Sequence, residues 1–344
     1  MSPSLPLLVT GIAGVPGYNA FHYFRSRFGD QVIGTRQSSM WPLSGDGIVA
    51  CDVEDASAVD QLWDKYRFAS VLNCGGSCRL KSCELDPQMA HRLNVVGAEN
   101  MVRAAARHQA QVIHLSIDLV FAGRDQGQYV ESDETDPVTV YGSKMVEAES
   151  VILRHCPEAC ILRISLPMGI SFNGHAGAID WIASRFKQNK PATLYFDEIR
   201  TPQYTDCMNR LFERLLSEPI KGLYHAGGVR ELSLYQIAQI VNVVGGYDPH
   251  LLKGCPRIEA GPMPPRAGNV TVDSTKLRAA MGANVFDPWP HCESLVPTNP
   301  QWHLQNDRFE GSTERVHELL YRNPINPGDV PPSRSQLWGE RRFS

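Results

Sequence analysis

A tyrosine and a lysine in "VYGSKM", Val140 to Met145, are spaced so that they could carry out proton transfer together. The phenol of Tyr141 is a potential proton donor, and a nearby ammonium group would lower its pKa from the usual value of about 10. The stretch opens a helical pattern, so Lys144 lies about 60° to one side of Tyr141, on the same face. An ordinary surface lysine is the alternative interpretation.

A glycine-rich turn, "TGIAGVPG", follows the first predicted strand and opens the first predicted helix. Glycine permits a positive φ and lets the backbone approach a pyrophosphate, which would sit at the helix N-terminus. At the first strand-to-helix turn of a long α/β pattern, this spacing predicts a dinucleotide site. A turn needed only for tight packing is the alternative. The predicted contacts are Gly11, Ile12, Ala13, Gly14, Val15, Pro16 and Gly17.

The second predicted strand, "QVIGTR", ends in Arg36, where NAD-specific domains usually carry an acid. An arginine there would pair with a 2′-phosphate, so the sequence favours NADP as the cofactor. A solvated surface arginine is the alternative. Further cofactor contacts are predicted near the ends of later strands, at Asp52 and Val53 beside the adenine, at the small residues Cys74, Gly75 and Gly76, and at Leu166.

The elements that must position these residues alternate along the first part of the chain. Short apolar runs such as "QVIHLSIDLVF" are separated by helical stretches such as "PQMAHRLNVVGAENMVRAAARH". This alternation predicts an α/β fold, a Rossmann-type doubly wound parallel sheet. We expect an NADP-binding domain over residues 1–165, a smaller substrate-binding lobe with interleaved elements over 166–285, and a proline-rich extension over 286–344.

Composition excludes several classes of protein. The net charge of -4 gives no electrostatic attraction for nucleic acid or an anionic membrane. No apolar run approaches the roughly 20 residues of a spanning helix, and the N-terminus does not read as a signal peptide. The nine cysteines are irregularly spaced and no histidine pair completes a set, so reduced thiols are expected rather than a metal site or disulfides. These features predict a cytoplasmic protein.

Taken together, these segments resemble the extended short-chain dehydrogenase/reductase superfamily. The likeness is to the dTDP-4-dehydrorhamnose reductase branch, which also contains the NADP-binding regulatory β-subunit of methionine adenosyltransferase. It covers roughly residues 5 to 283. The motifs that carry it are "TGIAGVPG", "LNVVGAENMVRAA", "HLSIDLVFAG", "DPVTVYGSKMVEAE", "RTPQYTD", "GLYHAGG" and "PPRAGNVTVDSTKL".

The resemblance implies an active site of a hydroxyl residue, a tyrosine and a lysine, and this chain keeps only one of the three. Tyr141 matches the tyrosine that gives a proton to the substrate carbonyl. The hydroxyl position falls on Ile117 and the lysine position on Met145. Lys144 and Ser116 are the candidate replacements, although Ser116 should project to the face opposite Ile117. Because the family lysine also binds the nicotinamide ribose, Tyr141 and Lys144 are predicted to contact the cofactor as well.

The resemblance also implies a nucleotide-linked sugar as the small-molecule substrate. Arg200, in "RTPQYTD", and Arg266, in "PPRAGNV", are predicted to hold a diphosphate or carboxylate through bidentate hydrogen bonds. Structural salt bridges are the alternative for both arginines.

Two functions are therefore open. The first is an NADP-dependent reductase of a nucleotide-linked keto sugar or similar ketone, and the enzyme is the preferred hypothesis. The second is a catalytically degenerate NADP-binding protein that regulates a partner. The resemblance also leaves a homodimer possible.

Overall fold

The computed structural model describes residues 3–124, 126–306 and 310–320. The strands of these residues are β1 (Leu7–Val9), β2 (Val32–Arg36), β3 (Ile48–Ala50), β4 (Ser70–Asn73), β5 (Gln111–Ile117), β6 (Cys160–Ile164), β7 (Pro167–Met168), β8 (Ala192–Tyr195), β9 (Ile199–Arg200), β10 (Gln203–Tyr204), β11 (Gly222–Ala226), β12 (Leu232–Ser233) and β13 (Leu252–Cys255). The helices are α1 (Val15–Phe28), α2 (Ala56–Tyr66), α3 (Leu80–Leu85), α4 (Pro87–His91), α5 (Gly97–Arg107), α6 (Val140–His155), α7 (Asp180–Lys187), α8 (Thr205–Ser217), α9 (Leu234–Gly245), α10 (Thr275–Met281), α11 (Trp302–Gln305) and α12 (Thr313–Glu318).

Seven strands form the central sheet in the order β11-β6-β5-β4-β1-β2-β3. Every neighbouring pair is parallel. β1, β4 and β6 are buried at every position, because helices cover both faces of the sheet. The chain runs outward from β1 on one side and from β4 on the other, which confirms the predicted doubly wound fold.

The helix ends follow the local sequence. Asp55 caps α2 by accepting hydrogen bonds from the backbone amides of Ser57 and Ala58. Thr139 caps α6 by accepting from the Gly142 amide at 3.0 Å, which fixes the first turn of the helix that carries Tyr141. α1 differs, because Gly14 at its N-cap supplies no side-chain acceptor. Its first amides therefore remain available to an anion.

The later part of the chain is built from short strand pairs, β7 with β10, β8 with β13 and β9 with β12. β11 returns to the central sheet beside β6, so elements of the sheet and of the lobe interleave along the chain. The proposed division into domains stays a prediction.

Part of the proline-rich extension packs against α9. The Ser312 amide donates to Val244 O at 2.9 Å, and the Trp289 indole donates to Leu319 O at 2.7 Å. Residues 321–344 of the predicted extension lie outside the described residues. In the part of the chain that the structure describes, no helix combines the length and apolar character needed to cross a membrane.

Candidate active site

A cavity of about 760 Å³ opens at the carboxyl ends of the central strands. This is the edge where doubly wound folds bind their ligands. The connections that leave β1 and β4 run to opposite sides of the sheet, which opens a crevice between the two strands. The glycine-rich turn, Tyr141, Arg200 and Arg266 all contribute to its lining. The fold thus brings the predicted cofactor and substrate residues into one space.

The glycine-rich turn packs so closely against other backbone atoms that Gly11 and Gly17 have no room for side chains. Gly11 has φ +64°, and a Cβ on it would lie 2.3 Å from the Cys74 carbonyl oxygen. A Cβ on Gly17 would lie 2.5 Å from the Gly11 carbonyl oxygen. Gly17 therefore lets α1 pack against the turn, and Gly11 keeps the backbone open toward the cavity.

A buried polar chain holds this turn against the end of β4. Thr10 Oγ1 donates to Asn73 Oδ1 at 2.7 Å and accepts from the Gly75 amide at 3.0 Å. Asn73 Nδ2 donates in turn to His114 Nδ1 at 3.0 Å. Burial lowers the pKa of His114 to about 4, so the imidazole is neutral and can accept. The chain fixes the spacing between the glycine-rich turn and the small residues at Cys74–Gly76.

Arg36 lies on the cavity wall at the end of β2. Its Nε donates to Leu43 O at 2.5 Å and its Nη1 donates to Gln37 O at 3.0 Å. These carbonyls orient the guanidinium without neutralising its charge. Val53 also lines the cavity, whereas Asp52 accepts from the Ser38 amide at 2.8 Å and is not among the lining residues.

Tyr141, in the first turn of α6, is buried to 8% exposure and lines the cavity. Burial raises the pKa of Tyr141 well above its usual value of 10, and the neighbouring Cys78 and Asp118 act in the same direction. The phenol is therefore neutral at physiological pH. Ile117 and Met145 line the same cavity. The surroundings of the tyrosine are thus more apolar than in the family pattern.

Neither predicted replacement for the missing groups reaches toward Tyr141. Lys144 Nζ donates to Glu147 Oε2 at 2.8 Å, and Lys144 is not among the residues lining the cavity. Ser116 lines the cavity, but its hydroxyl donates to Glu149 Oε1. Glu149 is buried and also accepts two hydrogen bonds from Arg163, at 2.9 and 2.7 Å. The catalytic roles of Lys144 and Ser116 stay predictions.

The two arginines of the predicted substrate site have different partners. Arg200 is buried and donates to both oxygens of Asp118, at 2.7 and 2.5 Å. Arg266 is partly exposed, lies 3.7 Å from Glu198 Oε2, and covers the Tyr195 ring with its guanidinium carbon 4.9 Å from the ring centroid. Arg200 therefore forms a structural salt bridge, which was the alternative interpretation for this residue. Both arginines line the cavity.

The remaining predicted contacts divide by position. The cavity is lined by Gly11, Ala13, Gly14, Val15, Pro16, Arg36, Val53, Cys74, Gly75, Gly76 and Leu166, but not by Ile12, Gly17, Asp52 or Lys144. The Ile12 amide donates to Thr35 O at 3.1 Å.

The sequence did not single out several other lining residues, namely Arg79, Asn173, His175, Trp181, Tyr195 and Glu198. Glu198 stands two residues before Arg200, just outside the stretch that the sequence assigned to the cleft, so its nearness to that stretch was an available signal.

The cysteines that the sequence placed near this region are free thiols. Burial raises the pKa of Cys74, which keeps this thiol protonated. Within residues 3–124, 126–306 and 310–320, no group of three or more His, Cys, Asp and Glu side chains is placed to hold a metal ion.

Comparison with known proteins agrees with this geometry. Residues 5–292 match the RmlD substrate binding domain. The chain is 28% identical over 248 residues to a dTDP-4-dehydrorhamnose reductase of Mycolicibacterium smegmatis, covering 70% of this chain and 72% of that protein. It is 28% identical over 243 residues to methionine adenosyltransferase 2 subunit beta of Xenopus laevis, covering 69% and 71%.

A solved structure has the same fold. It is that of dTDP-4-dehydrorhamnose reductase from Bacillus anthracis in complex with NADP, which superposes with a TM-score of 0.70 at 19% identity, over 90% of this chain and 99% of that chain.

Proposed function

Because the chain belongs to the RmlD substrate-binding family, we propose that it is an NADP-dependent reductase of a nucleotide-linked keto sugar or a similar ketone. The observation that supports this most is the single cavity that the glycine-rich turn, Tyr141 and the cleft arginines line together. A volume of about 760 Å³ is within the range of known ligand sites.

The cofactor end suits NADP in two respects. The turn at Gly11 and the uncapped N-terminus of α1 offer backbone amides to a pyrophosphate, and the first turn of α1 carries no acid that would repel it. Arg36, oriented by Leu43 O and Gln37 O, offers its charge to a 2′-phosphate. When bound, the dinucleotide would supply hydride to the substrate carbon.

Tyr141 would donate the proton that the carbonyl oxygen needs. A neutral phenol is the form required for reduction, and burial keeps Tyr141 neutral. The same burial makes the phenol a weak acid. No lysine offsets this effect, because Met145 occupies the position of the family lysine. General acid assistance contributes about 10² to 10⁴ in rate, so we expect turnover well below that of a complete triad.

A second candidate function is supported by a specific observation. Lys144 is paired with Glu147, the Ser116 hydroxyl is bonded to Glu149, and the apolar Ile117 and Met145 line the cavity with Tyr141. These features suit a protein that binds the dinucleotide without turnover and regulates a partner, as the relative named methionine adenosyltransferase 2 subunit beta suggests by its name. We also propose a cytoplasmic location, and either a homodimer or a complex with a regulated partner protein.

NADPH oxidation against a panel of nucleotide-linked 4-keto sugars tests the first candidate. We expect slow turnover that Tyr141→Phe abolishes while NADPH affinity stays nearly intact. Tyr66→Phe removes a phenol hydroxyl from a residue outside the lining of the cavity and should leave turnover unchanged. NADPH binding without turnover on any ketone, and with no effect of Tyr141→Phe, would replace the reductase with the regulatory function.

A further inference from the structure

We infer that Glu198 and Arg266 together bind a hydroxyl group of the sugar portion of the ligand, with Glu198 as acceptor and Arg266 as donor. The inference rests on the proposed nucleotide-sugar ligand and adds the part of it that this pair recognises. Glu198 is new to the site, and Arg266 changes from an anion-binding residue to half of a sugar-binding pair.

The pair is incomplete as it stands. The Glu198 side chain is 4% exposed and that of Arg266 is 26% exposed, and both residues line the cavity. Their nearest charged atoms are 3.7 Å apart, beyond hydrogen-bonding distance. Glu198 Oε2 and Arg266 Nε are both buried and hydrogen-bond to no described residue. Buried polar atoms of this kind are normally satisfied, so a further group is expected to complete them.

The neighbouring pair shows what a complete interaction looks like in the same site. Arg200 donates two hydrogen bonds to Asp118, and Ser165 Oγ donates a third to the same carboxylate. That carboxylate is satisfied by protein atoms alone. Glu198 and Arg266, by contrast, leave an acceptor and a donor without a hydrogen-bond partner among the described residues.

The kind of ligand group follows from the two charges. A group between a carboxylate and a guanidinium must donate to the first and accept from the second, which a hydroxyl does. A phosphate or carboxylate accepts only, and the charge of Glu198 would repel it. The Tyr195 ring beneath Arg266 holds the guanidinium in place through a cation–π contact. The pair therefore suits a sugar hydroxyl and disfavours the diphosphate.

The position of the pair relative to Tyr141 points to the same portion of the ligand. Glu198 directly precedes β9, whose Arg200 holds Asp118 just after the end of β5, and Glu198, Arg200 and Tyr141 line the same cavity. A hydroxyl bound by Glu198 would thus belong to the ring that presents its carbonyl to Tyr141.

Isothermal titration of the protein in the presence of NADP⁺ tests the inference with dTDP-glucose and dTDP, and with UDP-glucose and UDP, as probes. We expect the wild type to bind at least one nucleotide sugar about ten-fold tighter than its nucleotide. Glu198→Gln should reduce that preference by about five-fold or more, because a charge-assisted hydrogen bond is lost. Affinity for the bare nucleotide should change by less than about two-fold, since the diphosphate does not contact the pair.

Arg266→Lys keeps the charge, loses the planar fork and should reduce the preference similarly. Because its side chain is partly exposed, this variant carries the test if Glu198→Gln unfolds. Glu259→Gln is the matched control, since this exposed glutamate precedes Arg266 in the same loop and does not line the cavity. It should leave both affinities unchanged.

Four outcomes would overturn the inference. An unchanged preference in Glu198→Gln and Arg266→Lys would exclude the pair from sugar binding, and tighter binding of dTDP or UDP by Glu198→Gln would assign Arg266 to the diphosphate. Equal binding of nucleotide and nucleotide sugar by the wild type would contradict this inference while leaving the reductase proposal open to the turnover assay. Failure of the wild type to bind any of the four probes would contradict both.

Discussion

Replacing Met145 by lysine is expected to restore the ammonium group that Tyr141 lacks. Met145 lies one turn after Tyr141 in α6, is buried, and lines the same cavity. Residues four apart on a helix have Cβ atoms about 5–6 Å apart, so a lysine at 145 can bring its Nζ within about 4 Å of the phenol oxygen. At that distance and an effective dielectric constant of about 20, the attraction between ammonium and phenolate is about 4 kcal/mol. This corresponds to a fall of about three units in the pKa of Tyr141.

The same substitution should raise turnover by about 10², the lower end of the usual contribution of general acid assistance. A lysine in place of a buried methionine should also lower the free energy of unfolding, by about 1–3 kcal/mol. Bound dinucleotide should offset part of this loss, because it binds only the folded protein. Met145→Leu is the matched control, since it keeps the site apolar and should change neither pKa nor turnover.

The pKa of Tyr141 is measured in the wild type and in Met145→Lys, each time as the tyrosinate absorbance minus that of the same chain with Tyr141→Phe. Turnover is measured as NADPH oxidation with a nucleotide-linked 4-keto sugar. Ile117→Thr, which restores the family hydroxyl, should be measured alone and together with Met145→Lys, and non-additivity is expected because both side chains line one cavity. An unshifted tyrosine pKa would refute the geometric reasoning. A shifted pKa without turnover in any combination would instead favour the regulatory function.

Three further predictions concern the cofactor end and the polar chain beneath it. NADPH should bind at least about ten-fold tighter than NADH, and Arg36→Ala should remove the difference, because one charge-assisted contact is worth about 1.5–3 kcal/mol; equal affinities in the wild type, measured by fluorescence titration, would argue against NADP. Gly11→Ala should weaken dinucleotide binding and stability far more than Gly282→Ala. Both glycines have a positive φ, +64° and +66°, but only a Cβ at Gly11 would meet backbone atoms, the nearest at 2.3 Å. Burial lowers the pKa of His114 from 6.5 to about 4. Between these two pH values the unfolded chain binds a proton that the folded protein does not. The free energy of unfolding should therefore fall as the pH is lowered from 6.5 to about 4, by up to about 3 kcal/mol. Urea unfolding at about pH 7 and about pH 4 should show this fall in the wild type and a smaller one in His114→Gln, whereas equal falls would place the effect elsewhere.

The sequence alone was enough to predict the central sheet and the glycine-rich turn that lines the cavity. Continuous apolar runs and helical periodicity reflect burial within one strand or helix, so they can be read over a few residues. Gly11 and Gly17 are equally local, because the turn they form needs a positive φ at the first and close packing at the second. The replacements at Ile117 and Met145 were also visible, since they follow from position within motifs.

Only the tertiary structure decided which charged side chains pair. Arg200 and Asp118 are 82 residues apart, and Ser116 and Glu149 are 33 apart. Nothing in the spacing along the chain indicates these pairs, because a partner is chosen through space by the strands and helices that meet at the carboxyl edge of the sheet. Lys144 differs from these pairs, because its partner Glu147 lies three residues later on the same helix, a spacing that the sequence already shows.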